Sequence, residues 1–337
     1  MPKTIRNKFQ EALTYEKLMQ AHLKCQEGKI SRKNVIRFNL KKEEYIDWLY
    51  EKLKSKTYSH GEYTSFYVTE PKVRKVEASS YIDRIVHRWC FDNFLENTFV
   101  PQFIPTSYAC LKGKGMHKAA LDVQKGMKEC KKKYGEYYIL KMDIAKYFSN
   151  IDKKILNKIL KRKIKDKDIM WILEKILYSH KQEKGIPIGN LTSQMFANIY
   201  YNEADQYIKH KLKVRYYYRY MDDSIILMHS KEEIKEVKQK IEDYIKNELK
   251  LEFNRKTNIF KSKQGVNFCG YKINEYRLKL RDRGKRKLKK KIKYLKNKIK
   301  NTEMTSKEAK MYLCGHFGYI KYANAYSLTN NLFAKEE

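Results

Sequence analysis

Hydrophobic positions recur at helical spacing through most of this chain and at strand spacing in a few short runs bounded by breakers. Leu18, Ala21 and Cys25 mark an amphipathic helix over 14–28 with Gly28 as its stop, and Ile46, Leu49 and Leu53 mark another over 40–54. From Gly61 the period changes to two. Tyr63 to Val68 alternates, Glu70-Pro71 breaks the run and Lys72 to Val76 resumes it, which predicts two strands with a turn between them. Ile82, Ile85, Val86, Trp89 and Phe94 place a core helix over 81–97, ended before Pro101. Tyr137 to Ile144 reads as a strand delivering one acid, Asp143, at its C-terminal end. Helical patterns over 153–165 and 168–178 follow, and a loop from Gly185 to Gln194 enters a helix reaching about Leu212, with Asn190 or Thr192 as its cap.

The run Val214 to His229 differs from its surroundings. Two β-rich segments, Arg215 to Tyr220 and Ser224 to Met228, flank the adjacent acids Asp222 and Asp223, which predicts a hairpin with carboxylates at its tip. Ser230 to Glu233 is a capping box opening a helix with Ile234, Val237, Ile241, Ile245 and Leu249 on one face. Leu251 to Asn254 and Val266 to Tyr271 read as further strands. Residues 281–300 hold twelve basic residues and one acid, yet Leu288, Ile292, Leu295 and Ile299 keep helical spacing, so this is a helix with a basic face. Thr305 to Glu308 caps a last helical segment. The order predicts an α+β fold in which helices cover one face of an antiparallel sheet, the other face stays free for a site, and a helical domain closes the chain. No internal repeat and no long linker interrupts it.

Charge narrows the partners. With 74 Lys+Arg against 39 Asp+Glu, the formal net charge of +35 is the footprint of a polyanion binder, with nucleic acid as the leading partner and an anionic membrane surface as its competitor. The six cysteines show neither Cys-x-x-Cys pairs nor zinc-like spacing with His, so they are expected as reduced thiols, and Cys314-Gly-His316 as packing. No signal peptide and no run of eighteen apolar residues is present, so a soluble, cytoplasmic protein without a membrane partner is expected.

The candidate chemistry lies in the acids. Asp-Asp in a turn, alone, reads as a solvated loop. Asp143 on a neighbouring strand changes that reading, because three carboxylates converging at one end of a sheet can hold two divalent ions roughly 3.5–4 Å apart, a spacing suited to in-line phosphoryl transfer. Lys72 and Arg74, two apart on a strand, leave it on one face, where they grip a triphosphate or simply face solvent. Lys112-Gly-Lys-Gly115 lacks the Walker pattern and reads as a loop.

These features, in this order, resemble a reverse transcriptase. Tyr220-Met221-Asp222-Asp223 matches the family's hallmark, and the other motifs match at Lys72 to Arg84, Ser107 to Ala119, Lys141 to Asp152, Gly185 to Asn198, Leu251 to Thr257 and Asn267 to Tyr271. The resemblance implies a right-hand polymerase with fingers and palm over 1–272 and a basic helical thumb over 273–337. Fingers would take mainly 1–135 and 153–190, and palm mainly 136–152 and 191–272. It implies that Asp143, Asp222 and Asp223, with the Ile144 carbonyl, bind two Mg²⁺ ions, Mn²⁺ being the alternative. It further implies nucleotide contacts from Lys72, Arg74, Phe148, Ile188, Gly189 and Lys256, with Phe148 as the gate against a ribose 2′-hydroxyl. Nucleic-acid contacts would come from Tyr220, Met221, Phe268, Gly270, Tyr271, Lys285, Arg286, Lys289 and Lys293. The implied partners are template RNA, primer, the RNA–DNA duplex and dNTPs.

One departure narrows the group. Many reverse transcriptases carry Gln-Gly and then Ser-Pro in the fourth motif, where this chain has Ile188-Gly-Asn-Leu-Thr-Ser-Gln194. That version resembles reverse transcriptases of diversity-generating retroelements, which copy a template RNA with errors at adenines, and it implies a small basic accessory protein. Enzymes of phage-defence systems, retrons and group II introns share the same core and are the alternatives. A catalytically silent nucleic-acid-binding subunit is the reading of a different class, disfavoured by the intact acids and Phe148, and a basic membrane-surface protein is disfavoured by the same acids.

Overall fold

The computed structural model describes residues 4–69 and 73–333. Lys72, an expected triphosphate ligand, lies outside them. The chain packs as two units, Met1–Pro105 with Ile144–Lys211 and Ile241–Glu252, and Thr106–Asp143 with Leu212–Lys240 and Phe253–Glu337.

The first unit is mainly helical. Its helices include Tyr15–Gln26, Lys42–Lys54, Tyr81–Cys90, Lys153–Lys163, Lys167–Leu177 and Leu191–Gln206, and its sheet is the antiparallel pair β1 (Thr64–Val68) and β2 (Arg74–Ala78). Fully buried Trp89 meets Phe9 and Phe94 edge-on at 5.8 and 5.0 Å, and its Nε1 donates to Ala12 O. Helix starts follow side-chain chemistry, as at Thr14, Ser80 and Asp152, whose oxygens accept from the first-turn amides. Asp166 does more. One oxygen accepts from Asp168 N and Ile169 N, and the other from Lys8 N and Phe9 N, so a single buried carboxylate caps one helix and pins the N-terminal segment. Asn190 stands at the expected start of helix Leu191–Gln206, but its Oδ1 accepts from Ser79 Oγ and caps nothing.

A buried histidine pair sits behind that helix. His60 Nδ1 lies 2.6 Å from Gly61 O, which can only accept, so His60 carries its proton there and its Nε2 accepts from His87 Nε2 at 3.0 Å. His87 Nδ1 then accepts from Thr192 Oγ1 at 2.6 Å. Burial first, and His60 second, push the His87 pKa down to about 3, although Asp83 opposes them. A histidine whose folded pKa lies below its unfolded one stabilises the fold fully above about pH 6.5 and progressively less below it. The first unit should therefore lose roughly 2 kcal/mol between pH 7 and pH 5 from this group. Denaturant melts across that range check this, and His87→Gln should flatten the dependence.

The second unit holds a four-stranded antiparallel sheet in the order β4-β5-β3-β6, made of β3 (Tyr138–Asp143), β4 (Tyr216–Tyr220), β5 (Asp223–Met228) and β6 (Asn258–Lys261). A three-stranded sheet, β7 (Val266–Phe268), β8 (Tyr271–Ile273) and β9 (Leu278–Leu280), stands beside helices Asp282–Lys300 and Ser306–Tyr322. Tyr216, Tyr218, Ile139, Ile225 and Leu227 form one core with Val123, Met127, Phe268, Tyr271, Leu288 and Leu313.

Three expectations are corrected here. The run Leu251 to Asn254 forms no strand: Asn254 N donates to Asp143 O and Asn254 Oδ1 accepts from Lys256 N, making a turn, and the edge strand is β6 instead. Val266 to Tyr271 folds back on itself at Cys269 and Gly270, whose φ values of +47° and +87° reverse the chain. The sheet has no free face, because Leu140, Met142, Tyr217 and Ile226 are as buried as the residues that alternate with them. The near-continuous apolar runs of β3 and β5 are the sequence signature of strands covered on both sides. Helix Met116–Tyr134, unread in the sequence, covers one of them; Gly126 lets it lie flat, since a Cβ there would collide with the Tyr218 hydroxyl.

No helix among the described residues is long and apolar enough to cross a membrane, and the six cysteines are free thiols.

Candidate active site

The three acids come together in the second unit. Antiparallel register sets Asp143 directly opposite Asp223, the last residue of β3 against the first of β5, with Asp222 in the two-residue turn Met221-Asp222. Met221 is buried with φ +59°, a conformation costly for a side chain of its size. Arg219, fully buried, donates from Nη1 to Met221 O at 2.9 Å and so fastens the turn from below. The strand carrying it is tied in turn to the segment before helix Met116–Tyr134, through Arg219 N to Thr106 O and Tyr108 N to Arg219 O. Thr257 clamps Asp143 from the other side: its Oγ1 accepts from Asp143 N at 3.1 Å and donates to Asp143 O at 3.2 Å.

Electrostatics single out Asp223. Lys141 shares a face of β3 with Asp143 and sits diagonally across from Asp223, placing its Nζ 3.3 Å from Asp223 Oδ2. The other oxygen, Oδ1, is buried and accepts no hydrogen bond. Burial pushes the Asp223 pKa up to about 6; Lys141 opposes that, and the carboxylates of Asp143 and Asp222 add to it. An orphaned carboxylate oxygen crowded by two further acids is a strained arrangement for the protein alone, and the donor set, all hard oxygen, suits Mg²⁺. Among the described residues no three His, Cys, Asp or Glu side chains are already gathered at metal-holding geometry. Ile144, whose carbonyl is the expected fourth ligand, follows Asp143 in the chain with its side chain buried.

The other residues expected at the turn and in the helices divide by exposure. Tyr220 is half-buried. Phe268 and Tyr271 are wholly buried core residues facing one another across β7 and β8, so the half-buried turn Cys269–Gly270 is what that motif presents. Lys256 is exposed. On helix Asp282–Lys300, Arg286, Lys289 and Lys293 are exposed, and Lys285 pairs with Asp282 at 3.3 Å.

The first unit gathers a second set. Half-buried Phe148 lies in the short helix Tyr147–Asn150 with its ring edge-on to Tyr147. Ile186 N donates to Phe148 O at 2.9 Å, and Glu77 N donates to Ile188 O at 2.9 Å, so the loop carrying Ile188 is strung between the Phe148 segment and β2. Gly189 has φ +129°, and a Cβ there would stand 2.9 Å from Val76 Cγ1. Arg74 opens β2 opposite Val68, exposed to solvent. Glu77 on the same strand pairs with Lys75 and with His180, both at 2.9 Å.

Lys141, Arg219 and Glu77 went unread as site residues. Lys141 had a legible signal, since two positions before Asp143 is the same strand face; Arg219 offered only a cation inside an aromatic strand.

Among known proteins, the sequence model of the family described as Reverse transcriptase (RNA-dependent DNA polymerase) matches residues 70–273. The group II intron-encoded protein LtrA of Lactococcus lactis subsp. cremoris is 25% identical over 68% of this chain and 50% of its own length. Protein YkfC of Escherichia coli (strain K12) is 23% identical over 60% of this chain and 63% of its own. A chain from the structure of telomerase from Candida albicans in complex with a fragment of telomeric RNA covers 71% of this chain and 50% of that one, at 12% identity and a TM-score of 0.49. The chain thus spans about half the length of the first of these relatives.

Proposed function

Because the chain belongs to the reverse transcriptase family, we propose that it is an RNA-directed DNA polymerase, extending a primer with dNTPs along a template RNA. The observation that carries this reading is the pairing of Asp143 with Asp223 across two strands, with Asp222 in the adjoining turn. These three carboxylates and the Ile144 carbonyl are the proposed holders of two Mg²⁺ ions, or Mn²⁺ in their place. Bound there, the ions would lower the pKa of the primer 3′-hydroxyl and neutralise charge on the departing pyrophosphate.

The chain's own residues take the remaining tasks. Arg74, with Lys72, neutralises and orients the triphosphate. Lys256 stands near the leaving phosphate. The Phe148 ring fills the space a ribose 2′-hydroxyl would need and so selects deoxynucleotides. Tyr220, Met221 and the Cys269–Gly270 backbone position the primer end, and the exposed lysines and arginine of helix Asp282–Lys300 follow the phosphates of the RNA–DNA duplex. In this reading residues 1–272 are fingers and palm, and 273–337 the thumb. Free thiols throughout support a cytoplasmic setting.

Primer extension on an RNA template with Mg²⁺ tests the reading. Extension supports it, while binding of RNA without extension on any primed template would favour a silent binding subunit.

The programme we propose is that of a diversity-generating retroelement, with mutagenic copying at template adenines for retrohoming and a small basic accessory protein as partner. Ile188 supports it: an apolar side chain replaces a polar one on the loop strung between Phe148 and β2, and a site lacking a hydrogen-bonding group discriminates less. Ile188→Gln is expected to reduce misincorporation opposite adenine roughly tenfold. Equal error rates in the two proteins would remove this support. The likeness to a group II intron-encoded protein favours a second reading, an intron-like, retron or defence enzyme. Sequencing cDNA recovered with the protein separates them, since only diversification leaves adenine-directed substitutions.

A further inference from the structure

In the second unit, three elements meet at one imidazole. His117, in the first turn of helix Met116–Tyr134, has Nδ1 2.7 Å from the hydroxyl of Tyr271 on β8, and that hydroxyl lies 3.3 Å from the backbone carbonyl of Tyr319 in helix Ser306–Tyr322. A carbonyl only accepts, so Tyr271 donates to it, and His117 must carry its proton on Nδ1 and donate to Tyr271. The rings reinforce the relay. His117 stacks on Tyr322 with centroids 4.7 Å apart and 17° between planes, and meets Tyr319 edge-on at 5.1 Å. The Tyr319 hydroxyl donates to Met116 Sδ at 3.3 Å. Gly270, in the turn after β7, has no side chain where a Cβ would stand 2.5 Å from Tyr319 Cε1, so the tyrosine ring closes directly over the turn.

Just past the end of that helix, Asn324 ties the chain to the three-stranded sheet through a two-bond clasp, Asn324 N to Leu278 O at 2.7 Å and Leu278 N to Asn324 Oδ1 at 2.8 Å. Ala309 and Leu313 bury the opening turns of the helix in the common core. At its other end, where only partly buried residues pack on that core, His117 adds a directional tie from a third element.

We propose that His117 is a positioning residue that locks helix Ser306–Tyr322 to the Cys269–Gly270 turn, so that the grip on the primer end and the grip on the duplex move as one piece. This rests on the polymerase reading above. His117 touches no reacting atom in it, and loosening the joint changes how long a duplex stays engaged rather than the chemistry at Asp143, Asp222 and Asp223.

Three variants separate the parts of the joint. His117→Ala removes ring and donor, His117→Phe keeps a ring without the donor, and His117→Asn keeps a donor near the Nδ1 position. With His117→Ala and His117→Phe, the KM for primer–template is expected to rise about five- to tenfold and product length under a heparin trap to shorten several-fold, while kcat at saturating duplex stays within about twofold. His117→Asn should recover most of the loss. Native KM and product length in His117→Ala, or an equal fall of kcat in all three variants, would overturn the proposal. Dissociation of a labelled RNA–DNA duplex, followed by anisotropy, needs no catalysis: faster release from His117→Ala supports the joint even if the native chain extended no primer, a result that would sink the polymerase reading alone.

Discussion

Asp223→Asn is expected to abolish primer extension and, in the same protein, to raise the stability of the metal-free fold. The second half follows from the direction of the Asp223 shift. Its pKa is pushed up to about 6, chiefly by burial, with Lys141 only partly compensating and Asp143 and Asp222 adding repulsion. A carboxyl whose folded pKa exceeds its unfolded value binds its proton more tightly when folded, so the fold is destabilised above about pH 6 and the cost fades as pH falls toward 4. Partial exposure of the side chain discounts the full effect, leaving about 1–3 kcal/mol at pH 7. Asparagine removes the charge at nearly equal volume and still accepts from Lys141. Its thermal midpoint without divalent ions should therefore rise by a few degrees at pH 7.5, by about half as much at pH 5 and hardly at all below pH 4. Added Mg²⁺ should stabilise the native protein and leave the variant unmoved, because an ion that binds only the folded state stabilises in proportion to its affinity. The rate loss is expected at a thousandfold or more, as for removal of a group that organises transition-state charge. An Asp223→Asn protein less stable than native at pH 7.5 would contradict this account of the site.

Arg219→Met should damage both stability and rate, in contrast to the separation above. The guanidinium is wholly buried and donates to Met221 O, in the turn whose left-handed φ sets where Asp222 and Asp223 begin. Methionine fills much of the volume but donates nothing, so a buried carbonyl loses a charged partner and the turn loses its tether; about 2–4 kcal/mol is expected from equilibrium unfolding. Extension should fall at least tenfold at temperatures where the variant remains folded. Arg219→Lys keeps the charge but not the planar fork, so it should recover stability more than activity. Native extension rates in a folded Arg219→Met protein would show that the turn holds its shape without the arginine.

Much of this was legible in advance because it lay in local patterns. The β-rich runs on either side of Asp222-Asp223 marked the hairpin and its tip, and the apolar run ending in Asp143 marked the partner strand. What escaped was set by tertiary context. Leu251 to Asn254 has strand composition, yet the Leu251 amide is drawn back to Ile245 O, the Asn254 amide to Asp143 O and the Asn254 side chain to a turn. Met116–Tyr134 was hidden by the lysines filling its exposed side, although Ala119, Val123, Met127 and Cys130 keep helical spacing. Phe268 and Tyr271 are motif residues whose side chains turn inward, which spacing alone could not reveal. His117 and Arg219 matter through partners 154 residues away and two residues away respectively, and neither distance leaves a mark on composition.

Asp166 bears on the order in which a ribosome presents this chain. The carboxylate that accepts from Lys8 and Phe9 is synthesised about 158 residues after them, so the opening segment emerges long before its acceptor exists. Until then Phe9 must be shielded by collapse alone, and a pause in translation before residue 166 would prolong that exposure. Closing so distant a loop late is a slow step by its topology, and it makes the segment around Lys8 and Phe9 the natural place for early engagement by a chaperone.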